Sequence, residues 1–176
     1  MILDKIKTYR KGLAVERMHT VPHHTPYNNA SHSCNAALIA YELCKLNFEK
    51  TERIILHILM HDVAEGYVGD TPANVKVDNP KLKEVLSRIE DNWERDNLLD
   101  IPTLNLVEHD IFKSADLIEL GMYCLEELKM GNRNVITVLS NVTKYLTRYS
   151  GESAVRGVSD FVDLFNLTLA RYSDEC

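Results

Sequence analysis

The stretch His61-Asp62-Val63-Ala64-Glu65 sets an imidazole and two carboxylates into an otherwise apolar helical run. At about 100° per residue the three fall within a ~100° arc of one helix. An unpaired buried carboxylate is expensive, so a face like this calls for a cation. Short side chains at adjacent positions can converge on an ion beside the helix turn, but further ligands must come from elsewhere. His32, in SHS at a helix start, and Asp116, in the otherwise apolar ADLIEL, are the candidates. Two nitrogens and two carboxylate oxygens leave open positions on octahedral Mn²⁺, Co²⁺ or Fe²⁺ and also suit Zn²⁺, so ligand type does not select the metal. One such cation would acidify water and withdraw charge from a phosphoryl group, which points to hydrolysis. Each histidine alone reads more readily as a cap or core group; the set carries the weight. A rival pair, His57 and His61 at HxxxH spacing, lacks an evident carboxylate of its own.

These residues need elements to hold them. Only seven Gly and five Pro interrupt the chain, and between them apolar residues recur at three and four. The pattern predicts an all-α bundle of about six to seven helices. The first, 2–15, sets Ile2, Ile6 and Leu13 on one side. The second, 31–46, has Ser31 or Asn29 as N-cap, His32 in its first turn, and Ala36, Ile39, Ala40 and Leu43 buried. The third, 51–65, packs Ile54, Ile55, Ile58 and Leu59, and carries His61 and Asp62 near its end. A loop, GYVGDTPANVKVDNP, follows. The fourth helix, 80–99, opens on Asn79 and Pro80 and buries Leu82, Val85, Leu86, Ile89 and Trp93. The fifth, 104–130, holds Asp116 near its middle, with Lys113 one turn earlier facing the same centre, and stops at Gly131. Helices 133–149 and 152–172 complete a single domain spanning 1–176, with no internal repeat or linker.

A chain of 176 residues with 45% apolar and 26% charged residues can bury a real core without staples. Its net charge of −6 argues against stable nucleic-acid binding, which requires clustered basic residues. Cys34, Cys44, Cys124 and Cys176 form no CxxC pair and read as reduced, mostly buried thiols. No secretory h-region or membrane-length apolar run appears, and a cytoplasmic enzyme without membrane partners is expected.

The order H…HD…D, within RMHTVP, SHS, HDVAEGYVGDTPANVK, FKSADLIEL and CLEELKMGNRNV, resembles the HD-domain phosphohydrolases. Within them the chain is most similar to the YfbR-like 5′-deoxynucleotidases and the phage dATP triphosphohydrolases of the DatZ type, over about residues 11–149. The resemblance implies that His32, His61, Asp62 and Asp116 are the metal ligands and that Glu65 orients or deprotonates water. It also places Arg17, Lys76 and Lys113 on the phosphates and Asp70 on the catalytic or sugar side of the pocket. Relatives commonly carry an aromatic residue, often Trp, directly after the arginine. Met18 stands there in this chain; its polarizable thioether can still cover a purine face, leaving His19 and Thr20 to read the base.

The resemblance implies hydrolysis of the 5′ phosphoester of a 2′-deoxynucleotide, with attack at the α-phosphorus and departure of the deoxynucleoside through its 5′ oxygen. The expected reaction is dATP to deoxyadenosine plus triphosphate, with dADP and dAMP as further substrates. A homo-oligomer in a bacterial or phage-infected host cytosol is expected. The alternatives are a 5′-deoxynucleotidase acting on deoxynucleoside monophosphates and a non-catalytic nucleotide-sensing protein.

Overall fold

In the computed structural model, which describes residues 2–151 and 155–173, these patterns become nine α-helices among the described residues. They are α1 (Ile2–Leu13), α2 (Asn29–Asn47), α3 (Thr51–Met60), α4 (Glu65–Val68), α5 (Ala73–Asp78), α6 (Pro80–Asp96), α7 (Leu106–Lys129), α8 (Ile136–Leu146) and α9 (Val158–Ser173). Short 3₁₀ turns, Arg133–Val135 and Thr147–Tyr149, flank α8. The all-α expectation holds. Among the described residues β pairing is confined to one antiparallel bridge, Glu16 to Asn28.

The two long helices begin on reciprocal caps. Asn28 Oδ1 accepts from the Ser31 amide at 3.0 Å while Ser31 Oγ accepts from the Asn28 amide at 3.3 Å. The N-cap of α2 is therefore Asn28, not Asn29 or Ser31, and Asn29 is freed to point inward. Asn105 and Glu108 form the same box at the start of α7. Gly131, at φ 88°, ends that helix in the left-handed region that glycine enters without cost.

The core lies where α2, α3, α7, α8 and α9 meet. Ala36, Ala40 and Leu43 of α2 pack with Ile54 and Ile58 of α3, Ile111, Ala115 and Ile118 of α7, Leu139 and Val142 of α8, and Phe165 of α9. Gly121 lets α9 approach α7, since a Cβ there would sit 2.4 Å from the Phe165 ring. α2 and α7, which carry His32 and Asp116, are thus anchored by the most buried part of the molecule.

Several boundaries differ from expectation. α3 stops at Met60, and residues 61–64 form a turn before α4 starts at Glu65. Within it hydrogen bonds run from i+3 to i, as from the Val63 amide to Met60 O and from the Glu65 amide to Asp62 O. The single-helix arc assumed for His61, Asp62 and Glu65 does not exist. In a 3₁₀-type turn, however, positions i and i+3 eclipse, which keeps Asp62 and Glu65 on one side. Leu59 is exposed and Met60 takes the buried position.

The expected loop after Glu65 contains α4 and α5. The stripe of α6 is not buried: Leu82, Val85 and Ile89 are exposed, and Leu86 and Trp93 are only half-buried. α6 packs through Trp93, stacked on Tyr67 at 5.9 Å between centroids, rather than through its whole apolar face. Ile2 and Ile6 of α1 are likewise exposed, and Cys34 is an exposed thiol. The last expected helix begins at Val158; residues 152–154 lie outside the described residues. No helix among those described is long and apolar enough to cross a membrane.

Candidate active site

His32 leaves the first turn of α2 fully buried, and its two ring nitrogens face two carboxylates of α7. Nε2 lies 2.9 Å from Asp116 Oδ1, and Nδ1 lies 2.5 Å from Glu119 Oε2. His61, at the C-cap of α3, donates its Nδ1–H to the Ile58 carbonyl at 2.7 Å, which leaves Nε2 as its free lone pair. That Nε2 is 3.9 Å from Asp116 Oδ1. One donor atom each from His32, His61 and Asp116 lies within 4.8 Å of the others. An imidazole pair and a carboxylate from three elements, with both Nδ1 positions already committed, suit one divalent cation of the first transition row.

Burial and the Arg17 charge act to lower the His32 pKa, but hydrogen bonds to Asp116 and Glu119 outweigh them and lift it to about 9. Burial alone would raise Asp116; the Lys113 charge and the hydrogen bond and charge of His32 hold it well below the usual carboxylate range. Lys113 Nζ is 3.5 Å from Asp116 Oδ2 and rests 4.3 Å over the Phe112 ring.

Asp62 stands slightly apart from the three-residue cluster. Its Oδ2 is 3.0 Å from His61 Nε2 and is also hydrogen-bonded by Arg17 Nη1. Burial would raise its carboxyl, but the neighbouring His61 ring and the Arg17 charge outweigh it and hold that carboxyl far below the ordinary range. Arg17, expected on phosphate, is here tied to protein: the same Nη1 donates to Asn29 Oδ1 at 3.0 Å. Asn29 Nδ2 in turn donates to Glu65 Oε2 at 2.8 Å and lies near the carbonyls of Gly12 and Asp62. One buried amide therefore links Arg17, Asp62 and Glu65. Burial and the neighbouring Asp62 charge raise the Glu65 carboxyl to about 7, against the opposing Asn29 bond.

The segment before α2 forms the second wall. Arg17 is fixed by its amide bonding to Tyr27 O at 2.9 Å, and Met18 turns the chain at φ 54°, half-buried against the core. His19 Nδ1 comes within 3.6 Å of Asp70 Oδ2, joining this segment to the loop after α4. Lys76 lies on α5 and is half-buried. Behind the segment, Glu127 of α7 accepts from the His24 amide at 2.8 Å, the Thr25 amide at 2.9 Å, Thr25 Oγ1 at 2.7 Å and Asn132 Nδ2 at 2.7 Å. The rival residue His57 stacks against His61 at 6.5 Å but gives its Nδ1–H to the Pro102 carbonyl and stands outside the cluster.

Four polar residues of this site were not read as functional from the sequence, Asn29 being taken only as an N-cap candidate: Tyr27, Asn29, Glu119 and Glu127. Glu119 follows Asp116 by three on one helix face, a signal as plain as that of Lys113. Glu127, in CLEEL, had the same helical register. Tyr27 and Asn29 bracket a capping residue and offered no periodic signal.

The fold that carries this cluster is that of the HD phosphohydrolases. A solved HD phosphohydrolase of cyanophage S-2L, DatZ, bound to dA and one catalytic Zn²⁺ ion, matches with a TM-score of 0.65 at 17% identity, over 94% of this chain and 96% of that one. A conserved hypothetical protein of Pyrococcus furiosus matches at TM-score 0.51 and 23% identity, over 76% and 88%. By sequence, a 5′-deoxynucleotidase of Photobacterium profundum is 30% identical over 166 residues, 83% of this chain and 86% of its own. One from Vibrio cholerae is 29% identical, with the same coverage. Residues 7–166 match the model of the 5′-deoxynucleotidase YfbR-like family, and the chain belongs to that family of metal-dependent HD phosphohydrolases of deoxynucleotides.

Proposed function

We propose that this single-domain enzyme hydrolyses the 5′ phosphoester of 2′-deoxynucleotides, taking dATP to deoxyadenosine and triphosphate and accepting dADP and dAMP as well. The observation that carries the reading is the cluster of His32, His61 and Asp116 within 4.8 Å, with Glu65 and Arg17 joined beside it through Asn29. His32, His61, Asp62 and Asp116 are the residues that would hold one divalent cation, Co²⁺, Mn²⁺, Zn²⁺ or Fe²⁺. A cation there supplies Lewis acidity to the phosphoryl group and lowers the pKa of water.

The protein groups divide the remaining work. Glu65, with a carboxyl at about 7, is suited to take a proton from the attacking water and return one to the 5′ oxygen at neutral pH. Asn29 holds that carboxylate by one oxygen and leaves the other for water. Arg17, Lys113 and Lys76 bind the phosphate chain, Arg17 by sharing its guanidinium between Asp62 and substrate. Asp70 orients the sugar side, and Met18 covers the base. Three cations for one phosphate chain favour a polyphosphate, and the match to a phage enzyme bound to dA favours a deoxyadenosine moiety.

The names of the closely similar bacterial 5′-deoxynucleotidases favour a second reading, in which deoxynucleoside monophosphates are preferred. A panel of dATP, dADP, dAMP and the other deoxynucleotides with Co²⁺ or Mn²⁺, scored for phosphate, triphosphate and nucleoside, decides between them. Release of phosphate from dAMP without triphosphate from dATP selects the second reading. Equal turnover of ribonucleotides sinks the deoxy preference. A cytoplasmic homo-oligomer belongs to the same proposal, since the apolar residues Ile2, Leu3 and Ile6 of α1 and Leu82, Val85 and Ile89 of α6 are left exposed. Light scattering at the monomer mass of 20.1 kDa would count against it.

A further inference from the structure

The two clustered imidazoles are held from behind in different ways. His61 gives its Nδ1–H to a neutral backbone carbonyl, Ile58 O, at 2.7 Å. His32 faces a carboxylate instead: Glu119 Oε2 lies 2.5 Å from Nδ1, on the side of the ring away from Asp116. Glu119 is 4% exposed and His32 is 0% exposed, so water cannot substitute for either partner. A buried carboxylate in such a place needs its own donors. The Tyr27 hydroxyl donates to the same Oε2, and Asn35 Nδ2 lies 3.5 Å from Oε1. Tyr27 is fixed in turn by stacking on Tyr123, with ring centroids 3.9 Å apart and 12° between planes.

We propose that Glu119, steered by Tyr27, is a positioning residue for the metal centre: it holds His32 as the Nδ1–H tautomer and aims Nε2 at the cation. The inference rests on the reading of His32 as a metal ligand. The geometry favours this over a structural ion pair, because Glu119 and Asp116 lie one turn apart on α7 and grip opposite nitrogens of one ring. Asp116 is the carboxylate that faces His61 as well, whereas Glu119 points only to the far side. A charged acceptor on Nδ1 raises the donor strength of Nε2 and removes the entropy of ring rotation, and such partners are worth about 10–100-fold in metal affinity.

The test is calorimetric titration of chelator-stripped protein with Co²⁺ and with Mn²⁺, alongside thermal melting without metal and the visible spectrum of the Co²⁺ form. Glu119→Gln keeps size and hydrogen bonding but removes the charge. It should bind about 10–100-fold more weakly, with an altered Co²⁺ spectrum, while the metal-free melting temperature stays close to that of the wild type. Tyr27→Phe, which leaves the carboxylate in place but loosens it, should lose affinity in the same direction by a smaller factor, and it carries the test if Glu119→Gln does not fold. Unchanged affinity in the folded variant against a tight wild type overturns this inference alone. A wild type that takes up no cation, or a His32→Ala chain that binds as tightly as wild type, overturns the ligand reading and the inference with it.

Discussion

At the scale of single residues the site is a set of charges whose protonation is set by neighbours. Glu65, buried, and Asp62, half-buried, are carboxylates on one side of a tight turn, yet their ionisation is pushed in opposite directions. Arg17 and His61 stabilise the Asp62 anion, and that fixed anion, with burial, lifts Glu65 to about 7. Two carboxyls separated in this way can serve different roles, one as a permanent charge and one as a proton carrier. Glu65→Gln removes the proton carrier but keeps the Asn29 contact within reach. The expected outcome is a fall in kcat of about 10²–10⁴-fold, with the Co²⁺ affinity and melting temperature nearly unchanged. Steady-state kinetics beside a metal titration checks it, and retention of wild-type kcat would remove Glu65 from the mechanism. A non-catalytic sensor would lose nothing in turnover, having none.

At the scale of elements, backbone contacts set where these side chains point. α1 ends against the turn that leads into α4, and glycines permit the approach: a Cβ at Gly66 would lie 2.8 Å from the Gly12 nitrogen, and one at Gly12 would lie 2.4 Å from Val63 O. Gly66→Ala must push α4 off α1 at the residue next to Glu65. Overpacking of this kind costs about 1–3 kcal/mol, a drop of roughly 2–12 °C in melting temperature for a chain of this size, and kcat should fall by more than the stability loss explains. This is also where the sequence stopped being legible. Periodicity exposed the helices and the three-turn stretch ending at His61, and the residue types on α2 and α7 pointed to His32 and Asp116. The break of α3 before Glu65 follows from a contact between segments some fifty residues apart, which no local spacing encodes. The spacing of Glu119 from Asp116 could place it on the site's helix face, but its partner His32 lies 87 positions away and no local spacing names it. The Glu127 clamp is a second element-level device, tying α7 to the segment that carries Arg17 and Met18. Burial would raise its carboxyl, but Asn132, His24 and Thr25 donate to it and depress it from 4.5 to about 2. A depressed folded value contributes stability above the unfolded pKa, lost as pH falls from about 4.5 through about 2. The gap in melting temperature between wild type and Glu127→Gln should therefore narrow across that window. A gap that stays constant from pH 6 to pH 2 would show that the carboxylate charge is not what holds the segment.

At the scale of the molecule, the candidate ligands come from three places that the fold brings together: the start of α2, the end of α3 and the middle of α7. The rest of the chain fixes those three through the apolar core, which sets His32 Nε2 and Asp116 Oδ1 2.9 Å apart. A cation bound there joins three helices and adds its binding free energy to folding by mass action. At a free concentration 100 times Kd that amounts to about 2.7 kcal/mol, or roughly 5–11 °C in melting temperature for a chain of 150–250 residues. Because α2 and α7 are central, the shift should move the whole unfolding transition rather than split it into two. Differential scanning calorimetry of chelator-treated and Mn²⁺- or Co²⁺-loaded protein reads both features at once. His32→Ala and Asp116→Ala should each abolish the shift. His57→Ala should keep it, because His57 is committed to the Pro102 carbonyl. Loss of the shift in His57→Ala, with its retention in His32→Ala, would move the metal centre to the His57 and His61 pair and away from α2.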